Sequence, residues 1–190
     1  MGERTCGGCL GASRRGVLAA ASAFVLDIAT GGARAEEPAD ERPKAGDLLV
    51  RLDGGAALTP TDIVADARPL AAWPMDPAGS VVRNGSRLNK VLVLRLDPQT
   101  LGETAKERAA DGVLAYSAIC PHAGCEVTGW SAESKTIECP CHASHYDPRQ
   151  AGAVIDGPTP RPLAGLPLKI AEGKLVVAKP FTGRVGIIQN

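Results

Sequence analysis

Two short motifs rich in cysteine and histidine constrain this chain more than any other feature. The first motif, CPHAGC, covers residues 120–125, and the second, CPCHAS, covers residues 139–144. Each motif places one cysteine close to one histidine and holds one further cysteine. Thiolates and imidazoles in such pairs are metal ligands. The chain must therefore fold so that two loops meet around an inorganic centre.

The types of ligand in the two motifs match a binuclear iron–sulfur centre. Cys120 and Cys139 would bind one iron through thiolates, and His122 and His142 would bind the other through imidazoles. This division of ligands is that of a [2Fe–2S] cluster of the Rieske type. Two neutral imidazoles in place of two thiolates make the oxidised centre electrically neutral, so that it accepts an electron more readily. Such clusters lie at about −150 to +300 mV, against about −400 mV for plant-type ferredoxins.

The region around the motifs resembles a known family. Residues 113–162 are similar to the Rieske proteins of quinol–cytochrome c reductases and to the small subunits of arsenite oxidases. High-potential members of the family join the extra cysteines of the two motifs, which here implies a disulfide between Cys125 and Cys141. The family also uses a serine and a tyrosine after the second motif to donate hydrogen bonds to cluster sulfurs. Ser144 and Tyr146 occupy those positions.

The match includes a further loop and two departures. Residues 157–162, GPTPRP, resemble the proline loop that covers the cluster from a third side. Ala143 stands where family members commonly have glycine. Ala123 replaces the leucine that contacts the quinol pocket in quinol–cytochrome c reductases. This second departure, with the C-terminal stretch FTGRVG at 181–186, favours the arsenite-oxidase-like branch.

Composition and pattern predict an all-β fold. The 190 residues include 22 glycines and 15 prolines, and long helical patterns are few. The resemblance implies a Rieske-type β-sandwich over residues 47–190, with a small cluster-binding subdomain at about 118–163. The predicted strands are 48–52, 91–96, 113–118, 136–138 and 144–147, with a closing hairpin at 166–170 and 174–178.

The regions between these strands are predicted to be mostly irregular. A short helix is expected to begin after Thr59, where a cap residue precedes proline, and a helical turn is expected at about 103–108. Residues 71–89 contain proline, glycine and an Asn-Gly pair, so they are predicted to form loops and turns. Residues 36–46 are polar and contain proline, which is typical of a linker.

The N-terminal segment has the pattern of an export signal. Residues 13–18, SRRGVL, form a twin-arginine pattern at the head of the apolar stretch 17–28, and Ala-Arg-Ala at 33–35 offers a cleavage site. We therefore expect a signal peptide at 1–35 and a periplasmic protein. If the signal is not cleaved, it would associate the protein with the membrane. Cys6 and Cys9 precede the twin arginines and are expected to be lost with the signal.

Four alternatives compete with this interpretation. Structural zinc also binds cysteine and histidine, but the extra cysteine in each motif and the Ser144 and Tyr146 context disfavour it. An oxygenase needs a second iron held by two histidines and a carboxylate, and beyond the two candidate ligands only His145 is left. A Rieske ferredoxin that serves a separate oxygenase stays open, although it would normally lack Cys125 and Cys141 and would be cytoplasmic. A metal-stabilised binding module without redox activity is the fourth alternative.

The predicted function is one-electron transfer within an oxidoreductase complex. We expect the donor to be a larger oxidoreductase subunit, for example one that contains molybdenum, or a cytochrome b. The expected acceptor is a c-type cytochrome. No catalytic residue is predicted, so the chain is expected to be an electron-transfer subunit. Its formal net charge of zero gives no basic surface that would indicate a nucleic-acid partner.

Overall fold

The computed structural model describes residues 37–187, and the regular secondary structure of this part of the chain is almost entirely β-strand. The predicted signal peptide, its cleavage site, Cys6 and Cys9 lie outside the described residues. Within residues 37–187, no helix combines the length and the apolar character needed to cross a bilayer.

Twelve strands and one short α-helix make up the described fold. The strands are β1 Leu48–Arg51, β2 Gly54–Ala57, β3 Leu70–Asp76, β4 Val81–Val82, β5 Val91–Arg95, β6 Val113–Ser117, β7 Gly129–Ser131, β8 Thr136–Cys139, β9 Ser144–Asp147, β10 Ala153–Asp156, β11 Leu168–Ala171 and β12 Lys174–Val177. The helix is α1 Glu103–Lys106, and single 3₁₀ turns cover Pro60–Asp62, Arg87–Asn89, Pro98–Thr100 and Pro148–Gln150. The predicted strands, the closing hairpin and the helical turn are all confirmed, with ends that differ by one or two residues.

The strands form two antiparallel sheets. The larger sheet has the order β11-β12-β1-β3-β5-β6, with β2 added beside β1 and β4 beside β3. The smaller sheet has the order β10-β9-β8-β7 and is built from residues 129–156. This architecture confirms the predicted all-β fold class. The smaller sheet carries the second motif between β8 and β9, so it forms the frame of the candidate site.

The larger sheet curls so that its two ends approach each other. The chain that leads into β11 runs beside β6, where the Leu166 amide donates to the Ala115 carbonyl at 2.8 Å. The Ser117 amide donates in turn to the Ala164 carbonyl at 2.8 Å. These bonds satisfy backbone groups that would otherwise stay unpaired at the edge of β6.

Strands β5 and β6 are apolar on both faces because each face packs on a different core. On β5, Val91 and Val93 point into the interior of the curled sheet, while Leu92 and Leu94 point the other way. Successive side chains of a strand alternate between faces, and β6 follows the same rule. The outer faces of both strands pack on Ile137 and Tyr146 of the smaller sheet. The smaller sheet therefore rests on an apolar surface that β5 and β6 provide.

The loop predicted over residues 71–89 was wrong for its first part, because β3 occupies Leu70–Asp76 in the larger sheet. Pro74 made this segment resemble a turn. In the sheet Pro74 lies opposite Leu49 of β1, and its carbonyl accepts the Arg83 amide on the opposite side at 2.9 Å. The nitrogen of Pro74 therefore also faces away from β1. On that side, Pro74 lies beyond the part of β3 that pairs with β5. The N–H that proline lacks therefore removes no hydrogen bond between strands.

The segment interpreted as a linker packs on the domain through Arg83. This side chain is 2% exposed and donates twice to Asp47, from Nε at 2.6 Å and from Nη2 at 3.0 Å. It also donates to Glu41 at 2.9 Å. The pairing with Asp47 is the largest cause that raises the pKa of Arg83. The side-chain amide of Asn89 donates to the Glu41 backbone carbonyl at 2.8 Å, so residues 37–47 are held at several points.

Candidate metal centre

The first motif forms a tight loop directly after β6. The Cys120 amide donates to the Cys125 carbonyl at 2.8 Å, and the Gly124 amide donates back to the Cys120 carbonyl at 3.0 Å. Gly124 has φ +71°, a left-handed conformation that glycine adopts without steric cost. The loop is therefore closed on itself, with Cys120 at its base.

The second motif connects β8 to β9 and is joined to the first by a disulfide. Cys139 is the last residue of β8, and Ser144 is the first residue of β9. Cys125 and Cys141 form the disulfide that the family resemblance implied, with their Cα atoms 6.5 Å apart. Since each cysteine belongs to a different motif, the bond fixes one loop against the other.

The four candidate ligands are divided into a buried pair and an outer pair. Cys120 and Cys139 carry free thiols, are each 1% exposed and interact with each other. Burial raises the pKa of the Cys139 thiol, and the neighbouring Cys120 raises it further. The rings of His122 and His142 meet edge to face, with centroids 4.7 Å apart. His122 is half-buried and His142 is exposed.

This division suits two metal ions better than one. Among residues 37–187, no three side chains of the types His, Cys, Asp and Glu surround a common point that could hold a single ion. A single zinc ion would need four ligands around one centre. A binuclear cluster takes two thiolates at one iron and two imidazoles at the other, which is the arrangement of the two pairs here.

Two hydroxyl groups beside the thiols fit a sulfur-rich cofactor. Tyr146 is completely buried, and its Oη lies 3.2 Å from Cys120 Sγ. Burial raises the pKa of Tyr146 well above its usual range, so its hydroxyl keeps its proton and can donate it. Ser144 Oγ is buried and has no partner among the described residues. A buried hydroxyl normally has a partner, and a sulfide of the cluster would accept its hydrogen bond.

The proline loop at 157–162 packs directly on the second motif. Gly157 has φ +96°, and a Cβ there would lie 2.5 Å from Ser144 Cα and 2.8 Å from the Ala143 carbonyl oxygen. Only glycine permits this approach. The buried Thr159 also interacts with the Tyr146 hydroxyl. The loop thus excludes water from the two candidate donors Ser144 and Tyr146.

Three further residues lie at the site. Ala143 has φ +50°, a left-handed conformation that disfavours alanine. His145 Nε2 lies 2.9 Å from Glu138 Oε1 and so has a partner on β8. Arg87 Nη2 lies 3.0 Å from the position that a Cβ on Gly124 would occupy. The sequence singled out Ala143 and His145, whereas no local pattern indicated Arg87.

Comparisons with known proteins agree with this geometry. Residues 86–168 match the family model described as Rieske [2Fe-2S] domain. The chain is 31% identical over 146 residues to a protein of Haloferax mediterranei named as a Rieske subunit of respiratory nitrate reductase, covering 76% of this chain and 63% of that protein. It is 28% identical over 148 residues to the cytochrome bc1 complex Rieske iron-sulfur subunit of Streptomyces lividans, covering 74% of this chain and 85% of the relative.

The chain therefore spans under two thirds of the first relative and most of the second. Among solved structures, it is similar to the ferredoxin of carbazole 1,9a-dioxygenase from Nocardioides aromaticivorans. The identity is 25%, the TM-score is 0.43, and the match covers 70% of this chain and 98% of the other.

Proposed function

Because this chain belongs to the Rieske family through the [2Fe–2S] domain at residues 86–168, we propose that it carries single electrons as the iron–sulfur subunit of a periplasmic respiratory oxidoreductase. Its cofactor is a Rieske-type [2Fe–2S] cluster, which supplies a one-electron redox centre when bound. The chain's own residues determine where that centre sits, how well it is shielded and how readily it accepts an electron.

Cys120 and Cys139 would hold one iron of the cluster, and His122 and His142 would hold the other. The difference in exposure supports this assignment, because the thiols are buried and His142 lies at the surface. Electron transfer to a partner is favoured where the centre approaches solvent, so the imidazole end is the docking side. The buried thiol end rests on the apolar surface of β5 and β6 and is closed to partners.

The single observation that carries the high-potential assignment is the Cys125–Cys141 disulfide. A Rieske ferredoxin of the oxygenase type normally lacks this cysteine pair, as the family resemblance implies. Two donors act in the same direction, since Tyr146 and Ser144 stabilise the additional negative charge of the reduced centre and so raise its potential. Persistence of the disulfide also needs an oxidising compartment, which supports export through the twin-arginine pattern.

The partners are proposed from the chemistry and from the relatives. The relatives are named as subunits of a respiratory nitrate reductase and of a cytochrome bc1 complex. We therefore take the donor to be a larger oxidoreductase subunit or a cytochrome b, and the acceptor to be a c-type cytochrome. The small side chain of Ala123 beside His122 removes the leucine that reaches a quinol pocket, which favours an arsenite-oxidase-like donor over a quinol site.

A redox titration monitored by electron paramagnetic resonance tests this function. The purified protein, loaded with iron and sulfide, should show a Rieske signal after reduction with ascorbate. Ascorbate reduces only a high-potential cluster, so this result would support a respiratory carrier. A signal that develops only with dithionite would contradict the proposal and favour a ferredoxin that serves a separate oxygenase.

A further inference from the structure

A cavity outside the cluster site is lined by three arginines and no acidic residue. It has a volume of about 270 Å³ and lies between residues 161–164 and residues 182–184. Arg108, Arg161 and Arg184 line it, together with the Thr182 hydroxyl. Three like charges around one space repel one another, so the arrangement is costly unless an anion joins them.

None of the three arginines is neutralised within the part of the chain that the structure describes. No carboxylate of residues 37–187 forms an ion pair with Arg108, Arg161 or Arg184. Arg95 and Arg149 differ, because Arg95 pairs with Asp111 at 2.6 Å and Arg149 pairs with Asp147 at 2.9 Å. The cavity therefore holds three guanidinium charges that no carboxylate of residues 37–187 pairs with.

Gly165 lies beside two of the residues that line the cavity, Arg108 and Thr182. The position that a Cβ would take on Gly165 is 3.3 Å from Arg108 Nη1 and 3.4 Å from Thr182 Oγ1. The Thr182 oxygen accepts the Gly165 amide at 3.1 Å, while its own hydrogen has no acceptor in residues 37–187. The Arg108 guanidinium and the Thr182 hydroxyl are therefore two donors that lie beside Gly165, which has no side chain.

Arg161 is held in place from the opposite side. Its Nη2 donates to the Gly186 carbonyl, which fixes the guanidinium between the proline loop and the C-terminal segment. Arg184 is exposed and lines the cavity. One anchored, one half-buried and one exposed arginine form a partly preorganised site, which lowers the entropic cost of binding.

We propose that this cavity binds a small tetrahedral oxyanion, of the class of inorganic phosphate or sulfate. Guanidinium groups bind such anions through paired hydrogen bonds, and a dianion neutralises more of the charge than a carboxylate does. The volume is sufficient for one such ion and its remaining water. The oxygens of the anion accept hydrogen bonds from the guanidinium groups of Arg108 and Arg184 and from the Thr182 hydroxyl.

Isothermal titration of the purified protein with inorganic phosphate and with sulfate, at constant ionic strength in chloride, tests the site. Saturable binding of one ion per chain is expected. Arg108→Gln and Arg184→Gln should each weaken it at least tenfold, whereas the control Arg51→Gln, which removes an exposed arginine that does not line the cavity, should leave it unchanged. Gly165→Ala places a methyl group beside both donors, so it should weaken binding with all three arginines present.

Two results would overturn the proposal. One is the absence of saturable binding in the unaltered protein, and the other is equal weakening in the Arg51→Gln control. Circular dichroism of each variant identifies a failure to fold, and the exposed Arg184 offers the substitution least able to cause one.

The oxyanion can be free or part of a lipid, and co-sedimentation with vesicles separates the two sources. Binding to phosphatidylglycerol vesicles that inorganic phosphate displaces, and that Arg184→Gln removes, would identify a lipid phosphate. Titration by phosphate without vesicle binding would identify a free ion.

Discussion

The larger sheet and the cluster-binding region, residues 118–163, are stabilised in different ways. The strands of the larger sheet bury apolar side chains on both faces of β5 and β6, so hydrophobic burial holds this part of the fold together. The strands of the cluster-binding region have three or four residues each. A disulfide, close glycine contacts and the candidate ligands connect them. We therefore expect the larger sheet to fold without a cofactor, whereas the geometry of the site depends on its cross-links.

The largest effect is expected from His142→Ala, which removes an outer ligand without touching the larger sheet. The variant should lose the Rieske spectrum entirely, because one iron keeps only a single imidazole. Visible circular dichroism measures this loss, and thermal unfolding followed in the far ultraviolet should still show a folded sheet. His145→Ala is the matched control, since His145 lies in the same region but pairs with Glu138. A Rieske spectrum that survives in His142→Ala would remove this residue from the ligand set.

A substitution in the larger sheet should have the opposite result. Leu49 on β1 is completely buried, so Leu49→Ala should lower the free energy of unfolding by about 2–5 kcal/mol through lost burial and a residual cavity. The spectrum of the remaining folded protein should not change. Leu52→Ala, at a position that is 46% exposed, is the control and should shift stability by under about 0.5 kcal/mol. Equal effects at both positions would contradict a core in this sheet.

Loss of the disulfide should destabilise mainly the cluster-binding region. Cys125→Ser opens a link between residues 16 apart in the sequence, which costs about 3 kcal/mol in a chain-entropy estimate. The loosened loops should admit water and weaken the hydrogen bonds to the cluster, so the midpoint potential should fall. Potentiometry and the rate of iron release measure the two effects. The double variant with Cys141→Ser should behave alike, and an unchanged potential in both would show that the disulfide does not tune the cluster.

Substitutions at two buried tyrosines should distinguish an effect on the midpoint potential of the cluster from an effect on the free energy of unfolding. Tyr146→Phe removes a donor to Cys120 Sγ, so it should lower the midpoint potential modestly. Tyr116→Phe removes a hydroxyl that donates to the Pro148 carbonyl at 2.6 Å instead. That variant should lose about 0.5–1.5 kcal/mol of stability without a shift in potential. If the two variants shift the potential equally, Tyr146 has no specific role at the cluster.

The smallest effect is expected at Ala143, between the second motif's histidine and Ser144. Its φ of +50° costs alanine about 1 kcal/mol relative to glycine. Ala143→Gly should therefore raise the free energy of unfolding by up to about 1 kcal/mol while the potential stays constant. Chemical denaturation checks the gain. A loss of stability would mean that the greater freedom of glycine in the unfolded chain outweighs the relief of backbone strain.

The sequence predicted the parts of the molecule where a local pattern determines the structure. The apolar run VLVLR at β5 is of this kind. So is the Glu172-Gly173 turn of the closing hairpin, in which both residues adopt positive φ. The strand at Leu70–Asp76 was missed because Pro74 normally disfavours strands. Its place in the sheet depends on which neighbours flank it, and that is a tertiary property. The Arg83–Asp47 pair was missed for the same reason, since nothing local links residues so distant in the sequence.

The candidate site shows the same limit. The motifs identified the residues that meet, because their chemistry is specific and the loops are short. The sequence did not reveal that the thiols are buried and that His142 is exposed. It also did not reveal the three-arginine cavity, whose members come from α1's C-terminal side, the proline loop and the C-terminal segment. Such surfaces form only when distant segments pack together.

Pulsed electron paramagnetic resonance of the reduced protein, with histidine selectively labelled with ¹⁵N, tests the central claim most directly. Two strongly coupled imidazole nitrogens are expected, and one of them should disappear in His122→Ala or His142→Ala if any cluster forms. His145→Ala should leave both couplings intact. A protein that contains two irons and two sulfides per chain but shows no strongly coupled histidine nitrogen would contradict the division into an inner thiolate pair and an outer imidazole pair.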